Sequence, residues 1–364
     1  MIRKLSMFTM LLFVSAVLNA APRRRAVRFP PSFPACSMIT GTPAVTFTRD
    51  HGATLAPTAE CLSGIGYTYG LAALDTPGTL LAWHKADMII STDHGCSWRV
   101  LATFTDYDFP PRLVAAKGGR AYAWSDNRSF LVRYDSRGAV KLKQPTAFAG
   151  LAVDPNNADH LRAGGDDGAI YDSHDGGETW QRAGVLNPGT PAVIIYRFTF
   201  DPGNIDHVVA GTAVNGAYVS FDAGRTWRQS TGVGRGATNV FELAISPADG
   251  KVIWAEGIDV SESLRHIWRS TDGGETFSVV VDQSATVHLI NGTLMAAHPT
   301  DPNILYFVFG TYFQGYGTDL YRYDAASRSL NITHNDSDDI NSMAFSALRP
   351  NLMYLGLESE SGAR

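Results

Sequence analysis

With 364 residues, 45 % of them apolar and a formal net charge of −5, the chain can bury a sizeable core and carries no basic excess. That balance argues against intrinsic disorder and against nucleic acid as a partner. The length would suit two domains, but all-β architectures of this size also fold as one unit.

Residues 1–21 read as a secretory signal peptide. Arg3 and Lys4 form its basic start, residues 7–18 its apolar stretch, and Asn19-Ala20-Ala21 its small-residue cleavage site. The apolar run is shorter than a bilayer span, so cleavage would leave no integral membrane segment and a secreted or periplasmic product. Residues 22–42, with Arg23, Arg24, Arg25 and Arg28 among prolines, read as a solvated linker.

From residue 43 onward the chain reads as short strands and turns. The strand Ala44-Val45-Thr46-Phe47 enters the turn Thr48-Arg49-Asp50-His51-Gly52-Ala53-Thr54. The same frame returns more fully from Ser91 to Trp98, Ser173 to Trp180, Ser220 to Trp227 and Ser270 to Phe277, as S-x-D-x-G-x-T/S-aromatic. Arg133-Tyr134-Asp135 and Arg322-Tyr323-Asp324 keep only the strand and the aspartate. The seven aspartates, at 50, 93, 135, 175, 222, 272 and 324, lie 40–52 residues apart, close to one four-stranded propeller blade. An aspartate closes such a turn by accepting backbone N–H groups, the glycine supplies a conformation that a Cβ resists, and the aromatic packs between sheets. Asp50, Asp93, Asp175, Asp222 and Asp272 are therefore structural.

A second series keeps the same period. Leu151 to Pro155, Phe198 to Pro202, Leu243 to Pro247 and Met295 to Pro299 each alternate and then meet a proline, the mark of an inner strand entering a turn. The C-terminus stops near Leu357 after the second strand of a blade, and the N-terminus starts on a third strand at Ala44. Two strands from each end would complete the last blade. The predicted fold is all-β: a seven-bladed β-propeller of four-stranded antiparallel blades over residues 43–364, with no open edge. Of three cysteines, Cys36 and Cys61 flank the N-terminal half of that closing blade and are the candidate disulfide, with two unlinked thiols as the alternative; Cys96 falls in a turn and is expected to be free.

The repeated turn resembles the Asp-box (BNR) motif of sialidases, sortilin-type receptors and related propellers. The resemblance covers nearly the whole mature chain and is one of repeat frame. It implies a monomer without a cofactor, binding a glycan or protein on the face opposite the Asp turns, near the central channel. Asp106, Tyr107, Asp108, Tyr312 and Tyr316 fall in loops expected there, where rings stack on sugars and carboxylates accept hydroxyl hydrogen bonds. Sialidases hold a substrate carboxylate with three arginines, and Arg112, Arg197 and Arg235 lie near inner-strand starts, where such a triad would arise. The Arg-Ile-Pro element of sialidases is absent; Arg28-Phe29-Pro30 is the nearest segment. A resemblance to the propellers of xyloglucan-cleaving endoglucanases points instead to Gly165-Asp166-Asp167-Gly168, making Asp166 and Asp167 the candidate catalytic carboxylates. Glycoside hydrolysis needs two carboxyl groups at a set separation. The histidines lack metal-ligand spacing, and neither a phosphate loop nor a G-x-S-x-G elbow is present. A binding module is the leading expectation, with a glycoside hydrolase at the channel mouth as the alternative.

Overall fold

Short alternating strands punctuated by Gly, Pro and Asp can bury their apolar faces only by stacking sheet on sheet. The computed structural model describes residues 33–41, 43–60, 67–105, 111–125, 130–186, 193–234, 236–310, 315–336 and 339–358 and shows a seven-bladed β-propeller. Residues 1–21, read above as a signal peptide, the arginine run, Cys61, Asp106, Tyr107, Asp108, Arg235 and Tyr312 lie outside the described residues. Among those described, no helix is long and apolar enough to cross a membrane.

Each blade runs outward from the axis. Blade 1 comprises Thr68–Ala73, Leu80–His84, Asp87–Ser91 and Arg99–Thr103, and blade 2 Arg112–Ala116, Arg120–Trp124, Leu131–Asp135 and Gly138–Leu142. Blade 3 comprises Phe148–Asp154, Asn157–Gly165, Ala169–Ser173 and Gln181–Val185, and blade 4 Ile195–Asp201, Asn204–Thr212, Ala217–Ser220 and Arg228–Gln229. Blade 5 is built from Thr238–Ile245, Ile253–Asp259, Leu264–Ser270 and Ser278–Asp282, and blade 6 from Met295–Ala297, Ile304–Phe309, Thr318–Asp324 and Ser329–Asn335.

Blade 7 joins the two ends of the chain. Val45–Thr48 pairs antiparallel with Met353–Glu358, which pairs in turn with Asp339–Phe345. The expectation of two strands from each end needs one correction: among the described residues the N-terminal side supplies a single ladder strand. The next segment reaches the sheet only through Ala56, whose N–H donates to Phe47 O at 3.0 Å and whose carbonyl accepts the Thr46 hydroxyl at 2.6 Å. Pro57 follows at once and has no N–H with which to extend a ladder.

The apolar core is divided among the seven blade-to-blade interfaces. Trp83 and Phe130 meet between blades 1 and 2, Trp254 and Tyr323 between 5 and 6, and Phe47, Trp98 and Tyr354 between 7 and 1. No blade has a core of its own.

The Asp turns explain how five of the interfaces are set. In blades 1, 3, 4, 5 and 7 the aspartate Oδ1 accepts the N–H four residues on at 2.8–3.0 Å, and Oδ2 accepts that residue's hydroxyl. The preceding Ser or Thr hydroxyl accepts the glycine N–H at 2.8–2.9 Å. These glycines hold φ between 77° and 93°. They also touch the preceding blade: a Cβ on Gly224 would sit 2.4 Å from Ile170 Cγ1, and one on Gly52 2.4 Å from Leu320 Cδ2. The indoles of Trp98, Trp180 and Trp227 then donate to the carbonyls of Gly95, Gly177 and Gly224 at 2.9–3.2 Å.

The disulfide differs from the expected pair. Cys36 is bonded to Cys96, with Cα atoms 5.7 Å apart. Residues 37–41 lie along the Asp turn of blade 1, where Thr40 N–H donates to Cys96 O at 2.9 Å and Trp98 N–H to Thr40 O at 3.0 Å. Cys96 is therefore covered by the N-terminal segment instead of facing solvent alone. The bond spans the seam between blades 7 and 1.

Two outcomes follow for stability. Replacing Cys36 and Cys96 by Ser frees a 60-residue loop, and urea unfolding should show a loss of about 2–4 kcal/mol. The Asp175 carboxyl is held down to about 2 from 3.8 by the Thr179 hydroxyl and N–H. A depressed carboxyl stabilises the fold above its unfolded pKa and ceases to do so as pH falls through its folded value. Melting midpoints should therefore drop between pH 4 and pH 2, less steeply for Asp175→Asn.

Candidate functional site in the central channel

The innermost strands line the axis, and five of them share an irregularity at one level. Their pairing slips by one residue between Thr68 and Gly70, Phe148 and Gly150, Ile195 and Arg197, Val240 and Glu242, and Ile340 and Ser342. A β-bulge re-aims the side chain beside it, and Arg197 and Glu242 both line the channel cavity. Gly150 is required at this level, since a Cβ there would lie 2.0 Å from the Phe198 carbonyl oxygen of the next blade. Arg112 holds the same place relative to Leu113 as Arg197 to Phe198 and Glu242 to Leu243.

Arg112 Nη2 and Arg197 Nη2 both donate to Glu242 Oε2, at 3.2 and 3.1 Å. The side chains of Arg197 and Glu242 are only 9 % and 8 % exposed, and that of Arg112 is 36 % exposed. Behind Glu242, its cross-strand partner Glu256 is fully buried. Burial pushes the Glu256 carboxyl well above the usual range; the Gly292 N–H, 3.0 Å from Oε2, opposes this and the Glu242 charge adds to it.

A cavity of about 590 Å³ begins at this ion cluster and runs to the Pro turns at Asp154-Pro155 and Pro202. Its walls are apolar, with Leu71, Val114, Phe200, Met295 and Met343 among them. Pro turns and Asp turns lie at the same end of the antiparallel blades, so the cavity extends toward the Asp-turn face.

The residues expected from sequence are dispersed. Arg112 and Arg197 do converge, but on a carboxylate of the chain itself. Asp166 and Asp167 occupy an exposed turn of blade 3 and do not line the cavity. Asp166 accepts the Thr146 hydroxyl, while Asp167 accepts Ala169 N–H at 3.0 Å and the Tyr171 hydroxyl at 2.7 Å. Burial and that last bond push the Tyr171 phenol up to about 12. Tyr316 donates to Asp319 Oδ2 at 2.7 Å, and Asp319 Oδ1 meets His334 Nδ1 at 2.7 Å, a bond that holds the imidazole pKa above its usual value. Sequence reading missed Glu242 and Glu256. The legible signal for Glu242 was a charged residue directly before an inner-strand apolar run, at the same offset as the two arginines.

Glu242→Gln removes the carboxylate that receives both guanidinium groups, the buried Arg197 among them. Urea unfolding should show a loss of about 3 kcal/mol, whereas Asp166→Asn, on the exposed turn, should leave stability unchanged.

No protein-family profile matches the chain. Among solved structures it is similar to a GH74 enzyme of Niastella koreensis, with a TM-score of 0.61 and 16 % identity, over 83 % of this chain and 52 % of that one. It is also similar to YCF48 bound to D1 peptide, with a TM-score of 0.57 and 14 % identity, over 82 % and 93 % of the two chains. At these identities the likeness shows the fold alone, and the chain spans about half the length of the GH74 enzyme. The sequence relationship is of another order. Over 336 residues, 89 % of each chain, it is 51 % identical to the dispase autolysis-inducing protein of Streptomyces mobaraensis. Such identity over nearly the full length makes this chain a member of the family of the dispase autolysis-inducing protein.

Proposed function

We propose that the chain is an exported protein-binding propeller of the Asp-box type that promotes the autolysis of dispase or a dispase-like enzyme, and that it does so by binding. The observation that carries this reading is the 51 % identity to a protein named for that effect. The channel chemistry agrees with it: the two arginines suited to hold a sugar acid are both engaged by Glu242 within the fold. YCF48, another single propeller, takes a D1 peptide. Export rests on the signal-peptide pattern of residues 1–21.

A binder without chemistry of its own can alter a partner's self-digestion only by preferring one of its conformations or encounters over another. The face opposite the Asp turns offers an apolar surface for that preference. Ile194, Val214 and Val260 are exposed there on adjoining backbone, since Ala213 N–H donates to Ile194 O at 2.9 Å, Thr238 N–H to Val214 O at 3.2 Å and Val260 N–H to Ala237 O at 2.9 Å. Val214 holds φ at 57°, with its N–H on Asn239 Oδ1 at 2.8 Å. That conformation costs a β-branched residue about 1–2 kcal/mol, and strain of this kind concentrates where a surface is presented for recognition.

The test incubates the mature chain with dispase and follows intact dispase and its activity over time. Dispase should disappear faster than alone, with saturation as the chain is added. Val214→Gly, which relieves the strain, should melt no lower than the parent yet accelerate autolysis less. An unchanged rate of dispase loss, together with cleavage of chromogenic glycosides that Asp166→Asn abolishes, would replace this reading by the hydrolase one.

A further inference from the structure

We propose that blade 3 carries a binding site for a divalent transition metal of the zinc or nickel class, built from His160, Asp172 and His174 on the Asp-turn face. One ligand atom from each lies within 4.8 Å of the others. His160 stands on Asn157–Gly165 and Asp172 near the end of Ala169–Ser173, while His174 is the variable residue of the Asp turn, between Ser173 and Asp175. Strand pairing brings them together, which is why no short spacing announced them.

Blade 4 provides an internal comparison. There His207 has the place of His160: its Nδ1 faces Asp201 Oδ2 at 3.4 Å, its ring stacks on Phe221 at 4.8 Å, and its Nε2 meets the Gly273 carbonyl at 2.8 Å. That imidazole is fully engaged. In blade 3, His160 Nδ1 faces Asp154 Oδ2 at 3.1 Å, and its ring stacks on His174 at 4.4 Å. Its Nε2, however, is buried without a hydrogen-bond partner and lies 3.7 Å from Asp172 Oδ1. Where blade 4 has Val219 and Phe221, blade 3 has Asp172 and His174. Two side chains that only pack are thus replaced by two that can ligate, around an imidazole nitrogen left open.

The donor set is that of zinc and related ions: two neutral imidazoles and a carboxylate, bound at about 2.0–2.2 Å. Asp154 supplies the carboxylate that orients a ligating histidine through its other nitrogen. Arg162 donates to both oxygens of Asp172, at 2.6 and 3.0 Å, and also to Asp206. Each carboxylate oxygen retains a second lone pair for a metal. Asp154, Asp172 and Asp206 set against Arg162 leave a local excess of two negative charges. His174 is exposed and can swing to shorten the donor separations.

The test uses the untagged mature chain, stripped with chelator and titrated with zinc or nickel chloride by calorimetry. One ion should bind per chain, raise the melting midpoint, and be released by chelator. His174→Phe copies the stack of blade 4, so it should leave the metal-free midpoint unchanged and weaken binding at least tenfold. Asp154→Asn should weaken it to a smaller extent. Absence of saturable binding by the parent chain, or equal affinity in His174→Phe, overturns the proposal.

Discussion

The rest of the structure depends on the contact between the Asp-turn glycine and the blade before it. The turn serves two purposes at once. Its aspartate satisfies the N–H groups of a tight corner, and its glycine, in a conformation closed to a Cβ, lets that corner lie flat on the neighbouring sheet. Gly224 on Ile170 and Gly52 on Leu320 are two instances of one device. Every apolar cluster is shared between blades, so no blade can settle before its neighbour.

The interface between blades 7 and 1 is where the ends of the chain meet. Val45–Thr48 completes the sheet begun by the C-terminal strands, Ser342 Oγ donates to the Thr68 carbonyl of blade 1 at 2.6 Å, and Tyr354 OH donates to His94 O at 3.0 Å. The Cys36–Cys96 bond lies across the same seam. A closed ring in turn fixes the channel. Bulges at one level aim Arg197 and Glu242 inward, and the ion cluster closes the end of an apolar cavity that lies away from the Asp-turn face. Arg112 and Arg197, which line the channel, meet a carboxylate of the fold itself.

The fold was almost wholly legible because its signals are local and repeated. Ser-x-Asp-x-Gly-x-Thr marks one corner of the blade and the Asp-Pro series the other, and both depend on residues within a few positions of each other. What failed involved contacts between segments distant in sequence. Cys36 was matched with Cys61 by position relative to the closing blade, yet the path of residues 37–41 along the turn of blade 1 decides the partner. The arginines were found at inner-strand starts, but Glu242, between them in space, lies 130 residues from Arg112 and announces itself only once the blades are superposed. His160, Asp172 and His174 stand close in sequence, but only the pairing of Asn157–Gly165 with Ala169–Ser173 brings them to one place: sequence shows spacing, and register decides proximity.

The most direct check of the closed ring is the disulfide map. Digestion of the unreduced protein, followed by mass spectrometry, should recover the peptide holding Cys36 joined to the peptide holding Cys96, with Cys61 as a thiol. Recovery of Cys36 joined to Cys61 would contradict the seam between blades 7 and 1 and the ring closure built on it.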